Sequence, residues 1–444
     1  MTKEQLGLKE AVSFALGGII GGGIFAVLGV VAKVAGPTAW IAYFVAGVVV
    51  MATGYSYVSL NRLSDRNDGS VTFIEEFLER PTLAGMLGWV LIVGYIGTIA
   101  MYGYAFGAYF GALFGVSRVP LLGIPLRPIL SALVVTAFVG LNLLGVRESG
   151  WVEDALVAVK LLVVAGFGVF GVWFGYTHGV LEYGIPELVR SPTGPFLAAG
   201  VAFVSFEGWQ LLFYDQGQIA NPVETTRKAV YISIPVSAVS YILVAFVTVS
   251  LVSTSQVANH PDLALALAAR EFAGRIGYLL IGIAAVASTA SAINATLFST
   301  ALFAKRMSAD GLVPDQVAES DTETGDVPTR ALLLIGVLTA AFTVWGSLEA
   351  ITEFASMAFI VVFGAMNYLG LRQRHRDEIR TWIPIVGLIG TGVFFPLFGW
   401  HLYTEQFDIF VLVVGIALVL LVVEGLYFER EFISEGIRTI EKRT

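Results

Sequence analysis

The chain has 444 residues, of which 56% are hydrophobic and only 14% charged, with a mean hydropathy of +0.79 and a net charge of −8. A soluble chain carries roughly 25% charged residues, so composition alone excludes an ordinary water-soluble enzyme or a nucleic-acid-binding module. Cysteine is absent, which excludes disulfides and thiolate metal sites.

Twelve apolar segments follow in chain order, at about 10–34, 38–60, 83–113, 126–145, 151–175, 195–214, 229–253, 276–304, 329–347, 350–371, 382–402 and 407–428. Each is long enough to cross a hydrocarbon core of about 30 Å. The first is too long for a signal peptide and lacks a small-residue cleavage site, so no cleavable leader is expected. With an N-terminus inside, 19 of the 26 Lys and Arg residues fall on inner segments, among them Arg62, Arg66, Arg227, Lys228, Lys305 and Arg306. Six lie toward the outside: Lys33, Arg118, Arg127, Arg190, Arg270 and Arg275. This bias puts both termini in the cytoplasm. The expected fold is an all-α polytopic membrane protein of twelve transmembrane helices in the plasma membrane. The acidic run Ala318–Asp326 reads as a solvated linker.

The first span carries "GGIIGGGIF" (Gly17–Phe25), with Gly21, Gly22 and Gly23 in succession. Each glycine weakens a helix by about 1 kcal/mol relative to alanine, and a cluster lets the backbone leave helical geometry. A break is expected here, with freed N–H groups facing an anion such as a carboxylate. Close helix packing through glycine is the other reading. After the second span, "SVTFIEEFLER" (Ser70–Arg80) reads as a short interfacial helix. In the third span, "GYAFGAYFG" (Gly103–Gly111) is a small-residue packing stripe.

The fifth span holds one amine, Lys160, about ten residues into an apolar run. A charged lysine at that depth costs several kcal/mol unless partnered, and it lies too deep to snorkel easily. Burial penalises the charged form of an amine, so such a group can gain and lose a proton near neutral pH. A permanently charged lysine locking neighbouring helices is the alternative.

The sixth span is interrupted by "FVSFEGWQ" (Phe203–Gln210). Two interrupted spans in corresponding positions point to a transporter site at an inverted repeat. Five spans that start inside must be followed by five that start outside. The reading is therefore a 5+5 inverted repeat, about 10–175 and 195–371, with accessory helices at about 382–428. These form one transporter domain over 1–430, followed by a cytoplasmic tail at 431–444.

These motifs resemble the amino acid–polyamine–organocation (APC) superfamily of secondary transporters. The residues that carry the likeness are "IIGGGIF" in span one, "SFEGW" in span six followed by "NPVETTRKAV" (Asn221–Val230), and "SAINATLFSTALFAKRMSADGLVP" (Ser291–Pro314) in span eight. The position of Lys160 makes the chain most similar to proton-coupled amino acid transporters of the ApcT type. The stretch "YDQGQIANP" departs from the pattern, with Gln216 and Gln218 where acids are usual and Thr226 near the expected loop proline.

The resemblance implies an APC (leucine-transporter-type) fold and alternating access. It implies that protonated Lys160 takes the place that sodium holds in other members, bonding carbonyls near Gly17–Gly21 and the hydroxyl of Ser291. Ser288 and Thr289 also lie on that helix, while Ala290 replaces a usual hydroxyl. The substrate carboxylate is expected on the N–H groups of Gly21, Gly22, Gly23 and Ile24. The ammonium is expected on carbonyls around Ile19, Ile20, Phe203 and Ser205. Phe206 and Trp209 are lid candidates, with Tyr95, Ile99 and Tyr102 of span three as further lining. Glu207 is a second candidate titrating, gating or cation-reading group.

No HExxH, GxSxG or nucleotide-binding loop occurs, and the four histidines have no metal-ligand spacing. The reading is a non-enzymatic symporter of amino acids with protons, without cofactor, metal or nucleic acid, working as a monomer in the lipid bilayer. Alternatives of the same fold are a carrier of cationic amines, polyamines or potassium ion, or an uncoupled amino acid exchanger. A channel would need a continuous polar stripe and a sensor an output domain, and neither is read in the sequence.

Overall fold

A computed structural model describes residues 5–66, 69–119, 123–144, 150–214, 216–312, 328–376 and 379–428. Lys3, Arg147, Asp215, Val313–Pro314, the acidic run Ala318–Asp326, Arg430 and the tail 431–444 lie outside these residues.

The order of helices is α1 (Leu8–Ala35), α2 (Ala39–Leu63), α3 (Ser70–Leu78), α4 (Pro81–Phe114), α5 (Leu126–Leu143), α6 (Gly150–His178), α7 (Ile185–Arg190), α8 (Gly194–Ala202), α9 (Pro222–Leu251), α10 (Thr254–Asn259), α11 (Ala264–Ala309), α12 (Thr329–Trp345), α13 (Leu348–Arg372), α14 (Trp382–Glu405) and α15 (Phe407–Phe428). Eight segments among the described residues are long and apolar enough to cross a membrane, the first of them, Leu8–Leu63, comprising both α1 and α2. Three shorter apolar helices, Gly194–Phe206, Thr329–Trp345 and Phe407–Val423, accompany them. The molecule is an all-helical, polytopic membrane protein.

In lipid a helix needs no polar outer face, so burial rather than amphipathicity reports its place in the bundle. α1 is buried along most of its length, from Ala11 to Ala35, and packs against α2, α4, α6, α8, α9, α11 and α13. It is the axis of the bundle. α6 is one-faced: Val157, Lys160, Val164 and Phe167 are buried, while Val159, Leu162, Val169 and Phe170 are exposed to the lipid side. The buried set recurs at helical spacing, so Lys160 lies on the stripe that faces inward.

The structure corrects the expected break in the first span. α1 is a single helix of 28 residues through Gly17–Gly23. The glycines serve close approach instead. A Cβ on Gly22 would fall 2.1 Å from the Tyr102 ring, one on Gly23 2.8 Å from the Ser205 backbone, and one on Gly21 2.8 Å from Ala292 Cβ. Three different neighbours occupy the space that side chains would need.

The interruption of span six is present. α8 ends at Ala202, and two 3-10 turns follow, Phe203–Phe206 and Trp209–Phe213. Between them Glu207 is extended (φ −73°, ψ 164°) and Gly208 has φ +113°. The eighth predicted span, 276–304, lies in the part of α11 that follows the kink at Gly274 (φ +59°), and a further helical stretch from Ala264 precedes that kink. The predicted interfacial helix at 70–80 is α3, and its first five residues, Ser70–Ile74, are buried.

Candidate functional site

The site is built where the interrupted span crosses α1. Gly208 combines a positive φ with contact against α1: a Cβ there would sit 2.6 Å from the Gly18 carbonyl carbon. A Cβ on Gly18 would sit 3.0 Å from Gly208 Cα. Backbone therefore touches backbone at Gly18–Gly208 and again at Gly23–Ser205.

A helix break in a membrane leaves polar main-chain groups that must find partners inside the protein. Side chains supply them. Gln210 Oε1 accepts from Gly208 N at 2.8 Å. The Tyr241 hydroxyl on α9 lies 3.0 Å from Ser205 O and 2.6 Å from Ile19 O, so it can donate to either helix. Ser356 on α13 donates to Val201 O at 2.8 Å and accepts from Val204 N at 3.3 Å.

Glu207 sits at the centre, 1% exposed. Tyr102 donates to its Oε1 at 3.1 Å and Gln210 Nε2 to its Oε2 at 3.2 Å. Gln210 Nε2 also donates to Tyr95 at 3.3 Å. Tyr95, Ile99 and Tyr102 are all buried on α4 and share one face at i, i+4 and i+7. Two neutral donors hold the carboxyl group, an arrangement worth more in a low-dielectric interior than in water.

The expected carboxylate seat on Gly21, Gly22, Gly23 and Ile24 is corrected here. Those N–H groups lie in the middle of a continuous helix, where each faces an intrahelical acceptor. The carbonyls expected for an ammonium are nearer to the reading: Ile19 and Ser205 meet Tyr241, and Ile20 O accepts from Ser288 at 3.0 Å. Phe203 is buried, but its ring packs on Phe363 and Phe394. Phe206 lies against Tyr43 and Tyr241. Trp209 lies with Tyr57 and Phe363, on the α2 and α13 side.

Lys160 is 3% exposed and engaged in a polar or electrostatic contact. Its helix packs against α1 and α11. On α11 the hydroxyl that reaches an α1 carbonyl is Ser288. Ser291, one turn on, lines a small cavity with Gly17, Gly18 and Val157.

Ties at the two ends of the bundle join distant parts of the chain. At one end Lys9 pairs with Asp154 at 3.0 Å, Leu6 makes main-chain bonds to Gln218 and Ala220, and Arg306 donates to Tyr214 O. Gln216 and Asn61 exchange two amide bonds, at 2.7 and 3.1 Å. The glutamine that replaces an expected acid thus finds a neutral partner. At the other end Lys33 pairs with Glu349 at 3.0 Å. Among the described residues no cluster of three or more His, Asp or Glu is placed to hold a metal ion.

Tyr241 and Gln210 carry bonds that the sequence did not assign to the site, and Ser288, one of the hydroxyls the sequence offered on its helix, is the one that reaches Ile20 O. Gln210 adjoins the interruption and could have been found from that. A tyrosine in an apolar helix has no such signal.

Residues 6–423 match the family described as amino acid permease. The chain is 28% identical over 395 residues to the inner membrane transport protein YbaT of Escherichia coli, covering 87% of each chain. It is 27% identical over 294 residues to the serine/threonine exchanger SteT of Bacillus subtilis, covering 64% of each. It is 27% identical over 381 residues to human cationic amino acid transporter 4, covering 81% of this chain and 58% of that protein. A family match across nearly the whole chain, together with transporter relatives and an apolar bundle interrupted at its centre, establishes that this chain belongs to the amino acid permease family.

Proposed function

We propose that the chain is a secondary active transporter that carries amino acids across the plasma membrane by alternating access, coupled to protons through Lys160. The observation that carries this reading is the polar break at Glu207–Gly208, packed on the backbone of α1, together with a buried lysine on α6, a third helix that also packs against α1. A soluble-type core would have no use for an interrupted helix, a carboxyl group and an amine at this depth, each of which weakens a membrane bundle. Twelve crossings with both ends cytoplasmic, a 5+5 inverted repeat within residues 1–430 and a tail at 431–444 complete the proposal.

The substrate's amino group meets the carbonyls of Ile19, Ile20 and Ser205, taking places where Tyr241 and Ser288 now donate. Glu207, held by Tyr102 and Gln210, lines the same crossing. In its protonated state Lys160 holds α6 against α1 and α11, and loss of the proton frees the inner part of α1. The ties at the two ends of the bundle then open in turn.

An uncoupled exchange is the second reading, favoured by the likeness to a serine/threonine exchanger. Reconstituted protein with labelled amino acids separates the two. Accumulation driven by an imposed pH gradient, with no need of sodium, supports the proposal. Uptake driven by sodium alone, or only by amino acid on the opposite side, rejects proton coupling.

A further inference from the structure

A small cavity of about 20 Å³ lies between α1, α6 and α11, lined by residues that include Gly17, Gly18, Val157, Ser291 and Thr296, with Leu211 at one wall. On this measure roughly 10–15 Å³ is enough for one water, provided polar groups are there to bind it. Two hydroxyl-bearing residues, Ser291 and Thr296, are part of its lining. The absence of a side chain at 17 helps to keep the space open, since a Cβ on Gly17 would touch Val157 at 3.0 Å.

The cavity has a place in a sequence along α6. Asp154, Val157, Lys160 and Val164 recur at helical spacing on one face. Lys160 is six positions on from Asp154, about 9 Å along the axis. Asp154 is the partly exposed end of that line, with its side chain 21% exposed and paired to Lys9. Lys160 is the buried end. Val157, which borders the cavity, lies midway.

We propose that this cavity is a one-water site through which Lys160 exchanges its proton with the cytoplasm, with the Lys9–Asp154 pair at its mouth. This rests on the coupling role proposed for Lys160. The charged groups on the elements packed around Lys160 are Glu153 and Asp154 on α6, Lys9 and Glu10 at the near end of α1, Glu224, Arg227 and Lys228 at the start of α9, and Lys305 and Arg306 at the end of α11. At the opposite ends of the same helices lie Lys33, Arg270, Glu271 and Arg275. Of these, Glu10 on α1 and Asp154 on α6 lie closest in sequence to the cavity's lining on those helices, and Lys9 is the partner of Asp154.

The test uses full-length protein in proteoliposomes and two variants. Thr296→Val removes a hydroxyl at constant shape, and Ala295→Leu fills the space, since Ala295 also borders it. Both slow pH-driven amino acid uptake by at least about fivefold, the factor corresponding to one hydrogen bond. Both leave amino acid exchange, which moves no net proton, at the wild-type rate. Unchanged pH-driven uptake in Thr296→Val and Ala295→Leu overturns the route. Equal loss of exchange and uptake in both variants also overturns it, because that marks a packing defect. A wild-type protein with no pH-driven uptake, or a Lys160→Ala variant that keeps it, defeats the coupling role itself and the route with it.

Discussion

Replacing Gly208 by alanine tests whether the crossing of span six and α1 is built as described. Two separate terms oppose the methyl group. The backbone sits at φ +113°, a conformation that L residues avoid, and holding alanine there costs about 1–3 kcal/mol. The new Cβ would also lie 2.6–2.9 Å from the Gly18 carbonyl carbon, Gly18 Cα and Ile19 N. These are backbone atoms that cannot rotate away, and overpacking of this kind costs about 1–3 kcal/mol more. The sum, about 2–6 kcal/mol, is a large part of the roughly 5–15 kcal/mol that holds a domain folded. Gly274→Ala isolates the first term, because φ there is +59° with no atom within 4 Å of the Cβ position. Gly166→Ala is a helix position with open space, and it should be neutral or stabilising by up to about 1 kcal/mol. Thermal unfolding in detergent should rank the variants Gly166→Ala, then Gly274→Ala, then Gly208→Ala, the last roughly 5–20 °C below wild type. A Gly208→Ala protein as stable as Gly166→Ala would refute the backbone contact.

Three further outcomes are expected. Tyr102→Phe keeps the ring against Gly22 but removes a donor to Glu207, and initial uptake should fall about tenfold at normal expression. Asn61→Ala leaves the Gln216 amide without its reciprocal partner and should cost about 1–3 kcal/mol in unfolding stability; the double variant with Gln216→Ala should be less than additive in a mutant cycle. Lys33→Ala breaks a half-exposed pair and should change stability by less than about 1 kcal/mol, with the difference vanishing at high salt.

The helices were legible because hydropathy over about 20 residues is a strong constraint in lipid. The break in span six was also legible, since Ser205, Glu207 and Gly208 interrupt an apolar run with groups that hydrocarbon does not accept. Gly21, Gly22 and Gly23 misled for a physical reason. Unwinding and close packing both require a missing side chain, and only the neighbours decide between them: Ala292, the Tyr102 ring and the Ser205 backbone. Tyr241 was invisible because its value comes from two carbonyls more than 30 residues away in sequence, on different elements. Ser288 and Ser291 lie one turn apart, and which of them reaches α1 depends on the rotation of α11, which no local pattern fixes.

The most direct test of the account is Lys160→Ala in proteoliposomes, with exchange and net accumulation measured on the same preparation. The account predicts that labelled amino acid still equilibrates against unlabelled amino acid, while an inward pH gradient no longer drives accumulation. Accumulation at the wild-type level in that variant would contradict it.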